Sequence, residues 1–250
     1  NNVNAITLNN LIKKLIANGA NINFAKNNYS ILNVACSNGN YDIIKFLMNL
    51  NINNENLMPP LNTACAKGFL NIVELLVNDG ADINKISFDG SPLLIACHNE
   101  FFDIVKFLVK KNANINCVVN GTSPLMILCC NGNLDIIKFL VENGADINII
   151  NTVSESNLLY YACSYGDIDI IHYLIIRGCN PNHKNKNGVS PFIFSYLANK
   201  TEIIRLLIYN GADIYQKCDI GSILDIMCHY NNKEIIRFLM LMKIKMDTTI

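Results

Sequence analysis

Hydrophobic and polar residues follow two short patterns that recur along the whole chain. In the first, two apolar residues, one polar residue and two further apolar residues follow an acid, as in DIVKFL from Asp103 and DIIKFL from Asp135. This spacing places the apolar residues on one face of a helix. The second pattern is a continuous apolar run such as SPLLIAC from Ser91, which predicts a short helix buried on two sides. Together the patterns predict pairs of helices.

The ends of the apolar runs carry residues that favour the start and the end of a helix. Three runs begin with a serine that can cap the helix and a proline at the first helical position, and these are Ser91-Pro92, Ser123-Pro124 and Ser190-Pro191. Six runs are followed by a residue that tolerates a left-handed cap, namely Gly39, Gly68, Gly132, Gly166, Asn199 and Asn231. Glu100 stands at this place in one repeat, which predicts strain or a remodelled turn there.

A third phrase, which forms a turn, follows the second helix of each pair. It reads GADIN from Gly80 and again from Gly144, and its successive copies begin 30 to 34 residues apart. Segments of this length that recur in register are typical of stacked repeats, in which each copy covers the apolar face of its neighbour. The sequence predicts about seven full repeats after an N-terminal partial one, with bounds at 1–23, 24–53, 54–84, 85–116, 117–148, 149–182, 183–215 and 216–250.

The combined pattern SPLLIAC…DIVKFLVKKNANIN resembles the ankyrin repeat, whose usual form is Thr-Pro-Leu-His-x-Ala…Ile-Val-x-Leu-Leu-x-x-Gly-Ala-Asp. The resemblance covers nearly the whole chain. It implies an all-α solenoid of helix-turn-helix repeats in a single domain over residues 1–250, with projecting hairpin loops that form no sheet.

The chain departs from the family at the histidine that usually follows Pro-Leu. In the family this histidine typically hydrogen-bonds within and between repeats, so the resemblance implies a thinner polar network here. The residues at this place are Asn33, Asn62, Leu94, Met126, Tyr160, Ile193 and Asp225.

Ten cysteines raise the possibility of a metal site or of disulfides. Stacked helices lie about 8–10 Å apart, whereas bridged cysteines need Cα atoms within about 7 Å, and zinc-ligand spacing is absent. We therefore interpret the cysteines as small core residues and expect no metal and a reducing, cytoplasmic compartment. Six of them share one repeat position: Cys36, Cys65, Cys97, Cys129, Cys163 and Cys228.

Charge and motifs exclude several classes of function. The formal net charge is zero, which argues against binding to nucleic acid or to an anionic membrane surface. No apolar run approaches the 18 residues of a membrane-spanning helix, and the phosphate-binding and nucleophile motifs of enzymes are missing. We expect no catalytic activity and no cofactor. Because the chain begins with Asn1, we also expect a fragment with further repeats or domains beyond either end.

The resemblance implies a scaffold that binds a protein partner on a concave face. An alternative is the recruiting module of a larger catalytic or signalling protein, and the sequence does not identify the partner. The family pattern places the exposed ends of the inner helices in this face. In this chain we expect the contact residues at these helix ends to be His98, Asn99, Asn131, Ser164, Tyr165, His229 and Tyr230.

The loop tips of the middle repeats are unusually apolar. Their residues are Phe88, Val118, Val119, Ile149, Ile150 and Val153. If exposed, they would form one apolar strip and a contact site; alternatively, some of them fold inward against the next loop. We expect the substitutions Phe88→Ala and Tyr165→Ala to weaken partner binding without lowering the melting temperature.

Overall fold

The computed structural model describes residues 2–26, 29–50, 58–218, 221–222, 233, 236–238 and 240–241. The chain divides into two compact parts, residues 1–119 and residues 120–250, which we call the N-terminal unit and the C-terminal unit.

Helices dominate both units. The N-terminal unit contains α1 (Asn2–Ala17), β1 (Ala25–Lys26), β2 (Tyr29–Ser30), α2 (Ile31–Ser37), α3 (Tyr41–Met48), α4 (Pro60–Lys67), α5 (Leu70–Asn78), α6 (Pro92–His98) and α7 (Phe102–Lys110). The C-terminal unit contains α8 (Pro124–Asn131), α9 (Leu134–Glu142), α10 (Leu158–Tyr165), α11 (Ile168–Ile176), α12 (Pro191–Leu197), α13 (Thr201–Tyr209), β3 (Lys217–Cys218) and β4 (Gly221–Ser222), and residues 236–238, 240 and 241 are helical as well.

Each short inner helix packs against the outer helix that follows it. The pairs are α2–α3, α4–α5 and α6–α7 in the N-terminal unit and α8–α9, α10–α11 and α12–α13 in the C-terminal unit. Within each unit the inner helices also contact one another in chain order, α2 to α4 to α6 and α8 to α10 to α12. The predicted all-α repeat architecture is therefore confirmed.

The predicted helix starts are confirmed. The hydroxyl groups of Ser91, Ser123 and Ser190 accept hydrogen bonds from backbone amides three residues later, at 3.2 to 3.4 Å, and a proline follows each serine. These bonds satisfy amide groups that have no partner inside the helix.

The hairpin loops differ from the expectation that they form no sheet. β1 pairs antiparallel with β2, and β3 pairs antiparallel with β4. Single antiparallel bridges join Ser87 to Gly90 and Ile150 to Asn157. The expectation was wrong because a tight turn brings the amide and carbonyl groups of its two arms opposite each other, where they can pair.

The shared cysteine position lies in the core, as the sequence predicts. Cys36, Cys65, Cys97, Cys129 and Cys163 are buried with free thiols. Burial raises the pKa of the Cys36, Cys65 and Cys163 thiols to about 12, so they stay protonated at neutral pH. Cys228 lies outside the described residues.

Two asparagines restore part of the polar network that the resemblance implied would be thinner. The Asn33 amide donates to the Met58 carbonyl (2.8 Å) and to the Thr63 hydroxyl (3.0 Å), which belong to the next repeat. Asn62 does the same one repeat later, as described below. The expectation was wrong at these two positions, because an asparagine amide can replace an imidazole as a donor. At Leu94 the side chain is buried and apolar.

Aromatic rings cover the glycines that end several inner helices. A Cβ added at Gly132 would lie 2.1 Å from Cε1 of Tyr165, and one at Gly68 would lie 2.7 Å from Cε1 of Phe101. Each ring comes from the following repeat, so the glycine allows neighbouring repeats to approach closely.

Glu100 occupies the left-handed position that glycine takes in other repeats, with φ of 60°. We expect Glu100→Gly to raise the free energy of unfolding by about 1 kcal/mol, because glycine adopts this conformation without steric cost. Urea unfolding followed by circular dichroism measures the change. Asn199→Gly is a matched control at φ of 55°, and its gain should be smaller because asparagine tolerates this region. A less stable Glu100→Gly variant would show that the glutamate side chain makes a contact that outweighs the strain.

Gly132 and Gly144 separate backbone strain from ring packing, since both have left-handed φ but a Cβ at Gly144 meets no atom within 4 Å. We expect Gly144→Ala to lower the free energy of unfolding by about 1 kcal/mol. Gly132→Ala should lower it by about 1 kcal/mol more, because the added methyl group displaces the Tyr165 ring from its packed position. Thermal and urea melts measure both. Tyr165→Ala should cost little further in the Gly132→Ala background. Equal losses in the two single variants would mean that the ring contributes no packing energy.

Candidate protein-binding surface

Phe88 stands at the tip of a tight turn, residues 87–90, which we call the Phe88 turn. Its side chain is 91% exposed. The Ser87 amide donates to the Gly90 carbonyl (2.9 Å), and the Gly90 amide donates to the Ser87 carbonyl (3.1 Å). The turn is therefore closed by its own backbone, and it points an aromatic ring into solvent.

A buried side chain of the preceding repeat holds the Phe88 turn from below. The Asn62 amide nitrogen lies within hydrogen-bonding distance of the Gly90 carbonyl (2.8 Å), the Ser87 hydroxyl (2.9 Å) and the Lys85 carbonyl (3.2 Å). Asn62 is fully buried on helix α4. Hydrogen bonds from a rigid helix thus fix the turn in one conformation.

The second apolar tip of the N-terminal unit is less prominent. Val118 is exposed to just over a third of its surface, and Val119 is half-buried. The preceding Cys117 is buried, with its sulfur 3.1 Å from the Ser91 hydroxyl. At this tip, Val118 is therefore more accessible to a partner than Val119.

In the C-terminal unit, residues 149–157 form a longer loop, which we call the Val153 loop. Val153 is 61% exposed and Ile150 is also exposed, whereas Ile149 is half-buried. Asn151 is buried within the loop, where its side-chain oxygen accepts a hydrogen bond from the Val153 amide (2.8 Å). One methyl group of Val153 lies over Gly121, where an added Cβ would approach it to 2.8 Å.

The next hairpin of the same unit fastens the Val153 loop. The Lys186 ammonium group donates to the Val153 carbonyl (2.9 Å), and the Lys186 amide donates to the Ser154 carbonyl (3.0 Å). The His183 Nε2 atom lies 2.6 Å from the Glu155 carbonyl oxygen. These contacts leave the apolar side chain outside while its backbone is held.

The ends of the inner helices carry the other predicted site residues. His98 and Asn99 are exposed at the end of α6, although the Asn99 amide already donates to the Ile95 carbonyl (2.8 Å). His229 and Tyr230 lie outside the described residues.

Tyr165 has a structural role that the sequence did not indicate. Its ring is 52% exposed, and its other side covers Gly132, next to the half-buried Asn131. Ser164 is exposed, and its carbonyl oxygen accepts a hydrogen bond from the ammonium group of Lys200 at 2.6 Å. We therefore no longer expect Tyr165→Ala to leave the melting temperature unchanged, because the substitution also removes packing between repeats.

Each unit brings one loop tip and one helix end to the same inner helix. In the N-terminal unit, Phe88 precedes α6 and His98 ends it. In the C-terminal unit, Val153 precedes α10 and Tyr165 ends it. An inner helix of seven or eight residues is about 10–12 Å long, so both residues of a pair fit within one contact area. That the tips of both units join into a single strip remains a prediction.

The sequence analysis missed the asparagines that hold the loops. Asn62 and Asn151 looked like part of a general richness in asparagine, yet their side chains are buried and hydrogen-bonded to loop backbone. A signal was present, since Asn62 stands where the resemblance puts a hydrogen-bonding histidine.

The ionisable groups form no cluster suited to a metal ion in the part of the chain that the structure describes. There, no group of three or more histidine, cysteine or acidic side chains could hold a metal ion. Burial raises the pKa of Cys117, Cys130 and Cys179, the opposite of what activates a nucleophilic thiol. Among the described helices, none has the length and hydrophobicity needed to cross a membrane.

Comparison with known proteins agrees with the arrangement of the helices. The sequence model for ankyrin repeats matches the chain in three copies, over residues 3–87, 85–151 and 159–250. No curated protein sequence matches significantly. Because the three copies cover nearly the whole chain and the helix pairs recur in both units, this protein belongs to the ankyrin repeat family.

Proposed function

We propose that this protein is a non-catalytic scaffold that binds a protein partner through the loop tips before α6 and α10 and the exposed ends of these two helices. Ankyrin repeats are generally modules for protein–protein interaction, and proteins built from them are usually non-catalytic. The observation that carries the proposal is the Phe88 turn, where the aromatic ring is almost fully exposed and the backbone is held by hydrogen bonds from Asn62.

A fixed loop tip favours binding because little conformational freedom of the loop is lost when the partner binds. Immobilising a side chain or a loop on binding costs about 0.5–1.5 kcal/mol for each rotamer-rich side chain. Burying a phenylalanine side chain contributes about 1.5–3 kcal/mol. When the turn is already ordered, most of this gain remains available to stabilise the complex. Aromatic anchors of this kind are enriched among the residues that dominate interface energies.

The Val153 loop repeats the arrangement with a smaller anchor. Val153 is exposed, and its backbone is held by Asn151 on one side and Lys186 on the other. A single exposed apolar residue is common on protein surfaces and needs no explanation. Two such residues, each on a hydrogen-bonded tip directly before an inner helix, support a contact function.

The state of the thiols supports a reducing compartment such as the cytoplasm. Cys129, Cys163 and Cys179 are buried with free thiols. A chain with many unpaired cysteines is typical of proteins from reducing compartments.

We expect Phe88→Ala to weaken partner binding at least tenfold, because the anchor is lost while the turn remains. Affinity capture from cell extract with quantitative mass spectrometry identifies the partner, and titration calorimetry then measures its affinity for each variant. Phe24→Ala is the matched control, since Phe24 is another exposed aromatic residue, at 64%. Both variants should keep the wild-type melting temperature. Equal affinities of wild type and Phe88→Ala would move the contact site away from this turn.

We expect Asn62→Leu to loosen the Phe88 turn and to lower the free energy of unfolding by about 1–3 kcal/mol, because it removes buried hydrogen bonds. Leucine fits the inner helix, since Leu94 occupies the same place one repeat later. Hydrogen exchange of the Ser87 amide, which is bonded within the turn, should become faster. Asn33→Leu removes the equivalent bonds one repeat earlier and should leave this amide unchanged. Unaltered exchange in Asn62→Leu would mean that the turn holds itself.

A further inference from the structure

Asparagine is followed directly by glycine seven times in the chain, and all seven pairs lie within the described residues. In this dipeptide the asparagine loses its side-chain amide most readily, because glycine has no Cβ to hinder attack by its backbone nitrogen. The seven pairs are Asn18-Gly19, Asn38-Gly39, Asn120-Gly121, Asn131-Gly132, Asn143-Gly144, Asn187-Gly188 and Asn210-Gly211.

Six of the seven glycines use their backbone amide in a hydrogen bond. Five of these amides donate to carbonyl groups at the ends of helices, and the sixth, that of Gly188, donates to the Asn185 carbonyl. The donor–acceptor distances are 2.9 to 3.2 Å. Each amide has to give up this bond before its nitrogen can turn towards the asparagine side chain. A hydrogen bond of ordinary net strength therefore slows the reaction roughly two- to tenfold.

Gly121 is the exception among these glycines. Its amide makes no hydrogen bond to any residue that the structure describes. The preceding Asn120 is exposed, and both residues have left-handed backbone, with φ of 51° at Asn120 and 82° at Gly121. Asparagine tolerates this conformation better than most residues do. The Gly121 nitrogen can therefore turn towards the Asn120 side chain without giving up a hydrogen bond of its own.

The Asn120-Gly121 pair lies beside the Val153 loop of the same unit. A Cβ added at Gly121 would lie 2.8 Å from Cγ2 of Val153 and 3.1 Å from Oδ1 of Asn151. Val153 itself is exposed and belongs to the proposed partner site. A chemical change at Asn120 therefore takes place next to one of the two apolar tips.

We propose that Asn120 is a site of spontaneous deamidation, and that its product weakens partner binding by placing a negative charge beside Val153. The effect on binding rests on the proposed function, whereas the modification itself does not. Of the seven asparagine–glycine pairs, this is the one whose reacting nitrogen the fold leaves without a hydrogen bond to the described residues.

The reaction needs only water. The Gly121 backbone nitrogen attacks the side-chain carbonyl carbon of Asn120 and forms a new carbon–nitrogen bond. The bond from that carbon to the side-chain nitrogen breaks, and ammonia leaves with the proton that the Gly121 amide gives up. Water then adds to one of the two carbonyl carbons of the resulting succinimide ring and opens it, to aspartate or to isoaspartate. No oxidant or reductant takes part.

Both products change the surface next to Val153. Aspartate and isoaspartate are negatively charged at neutral pH, whereas asparagine is not. Isoaspartate also adds one methylene group to the backbone before Gly121, which shifts this glycine against the Val153 methyl group. A partner that covers Val153 then has to remove water from a charge, which is costly without a partner for that charge. The affinity for the partner should therefore decline as the protein ages.

Incubation of the intact, folded chain at mildly alkaline pH, followed by tryptic digestion and mass spectrometry, tests the modification. Trypsin releases residues 112–138 as one peptide, which carries both Asn120 and Asn131. Asn131 is the matched control, because the Gly132 amide donates to the Leu128 carbonyl (3.0 Å). Asn120 should convert at least about threefold faster than Asn131. A sample digested without incubation corrects for conversion during the digestion.

The same measurement in guanidinium chloride removes the structural difference between the two pairs. In the unfolded chain Asn120 and Asn131 should convert at similar rates. Equal rates in the folded protein, or faster conversion at any of the other six pairs than at Asn120, would overturn the proposal.

Two aspartate variants test the effect on binding, by calorimetry with the captured partner. Asn120→Asp carries the charge of the product and should bind at least about threefold more weakly than the wild type. Asn143→Asp adds the same charge at the end of α9, outside the proposed contact surface, and should bind like the wild type. Thermal melts confirm that both variants are folded.

The outcomes separate this proposal from the proposed function. Wild-type affinity of Asn120→Asp together with weakened binding of Phe88→Ala would disprove the effect of deamidation on binding and leave the proposed function intact. Wild-type affinity of Phe88→Ala would count against the proposed contact site, while the conversion rates measured on the unbound chain still decide the modification.

Discussion

A helix pair of this protein buries its apolar residues only when the next pair covers them. The inner helices are seven or eight residues long, too short to be stable as isolated helices. Cys65 on α4 and Ile72 on α5 are fully buried because the preceding pair α2–α3 and the following pair α6–α7 both pack against these two helices. Burial between successive repeats is the interaction that every other feature of the structure requires.

The same stacking fixes the loops. Within each unit, neighbouring hairpins lie close enough for a side chain in one repeat to reach the backbone of another. Asn62 holds the Phe88 turn in this way, and Lys186 holds the Val153 loop. The side-chain nitrogen donors of these residues bond to carbonyl groups of the neighbouring repeat, which offsets part of the cost of removing such donors from water. The result is a set of tips that combine an ordered backbone with exposed apolar side chains, which suits recognition of a protein partner.

Stacking also leaves much of the surface free to vary. A repeat position that faces solvent is occupied by lysine in one repeat and by isoleucine in another, as Lys110 and Ile176 show. The helices around both residues are alike, because burial constrains only the inward positions. Recognition therefore depends on the particular side chains that each repeat presents and not on the fold itself.

The sequence alone determined the period, the helix pairs, the serine caps and the buried cysteine position, because each of these depends on residues within one repeat. It also indicated the left-handed place of Glu100, since glycine or asparagine stands there in other repeats. Only the tertiary structure decided that Asn62 supports the Phe88 turn, that Tyr165 packs on Gly132, and that Ile149 is half-buried while Val153 is exposed. These outcomes depend on contacts between residues about 30 positions apart, and the geometry of such contacts follows from how neighbouring repeats pack.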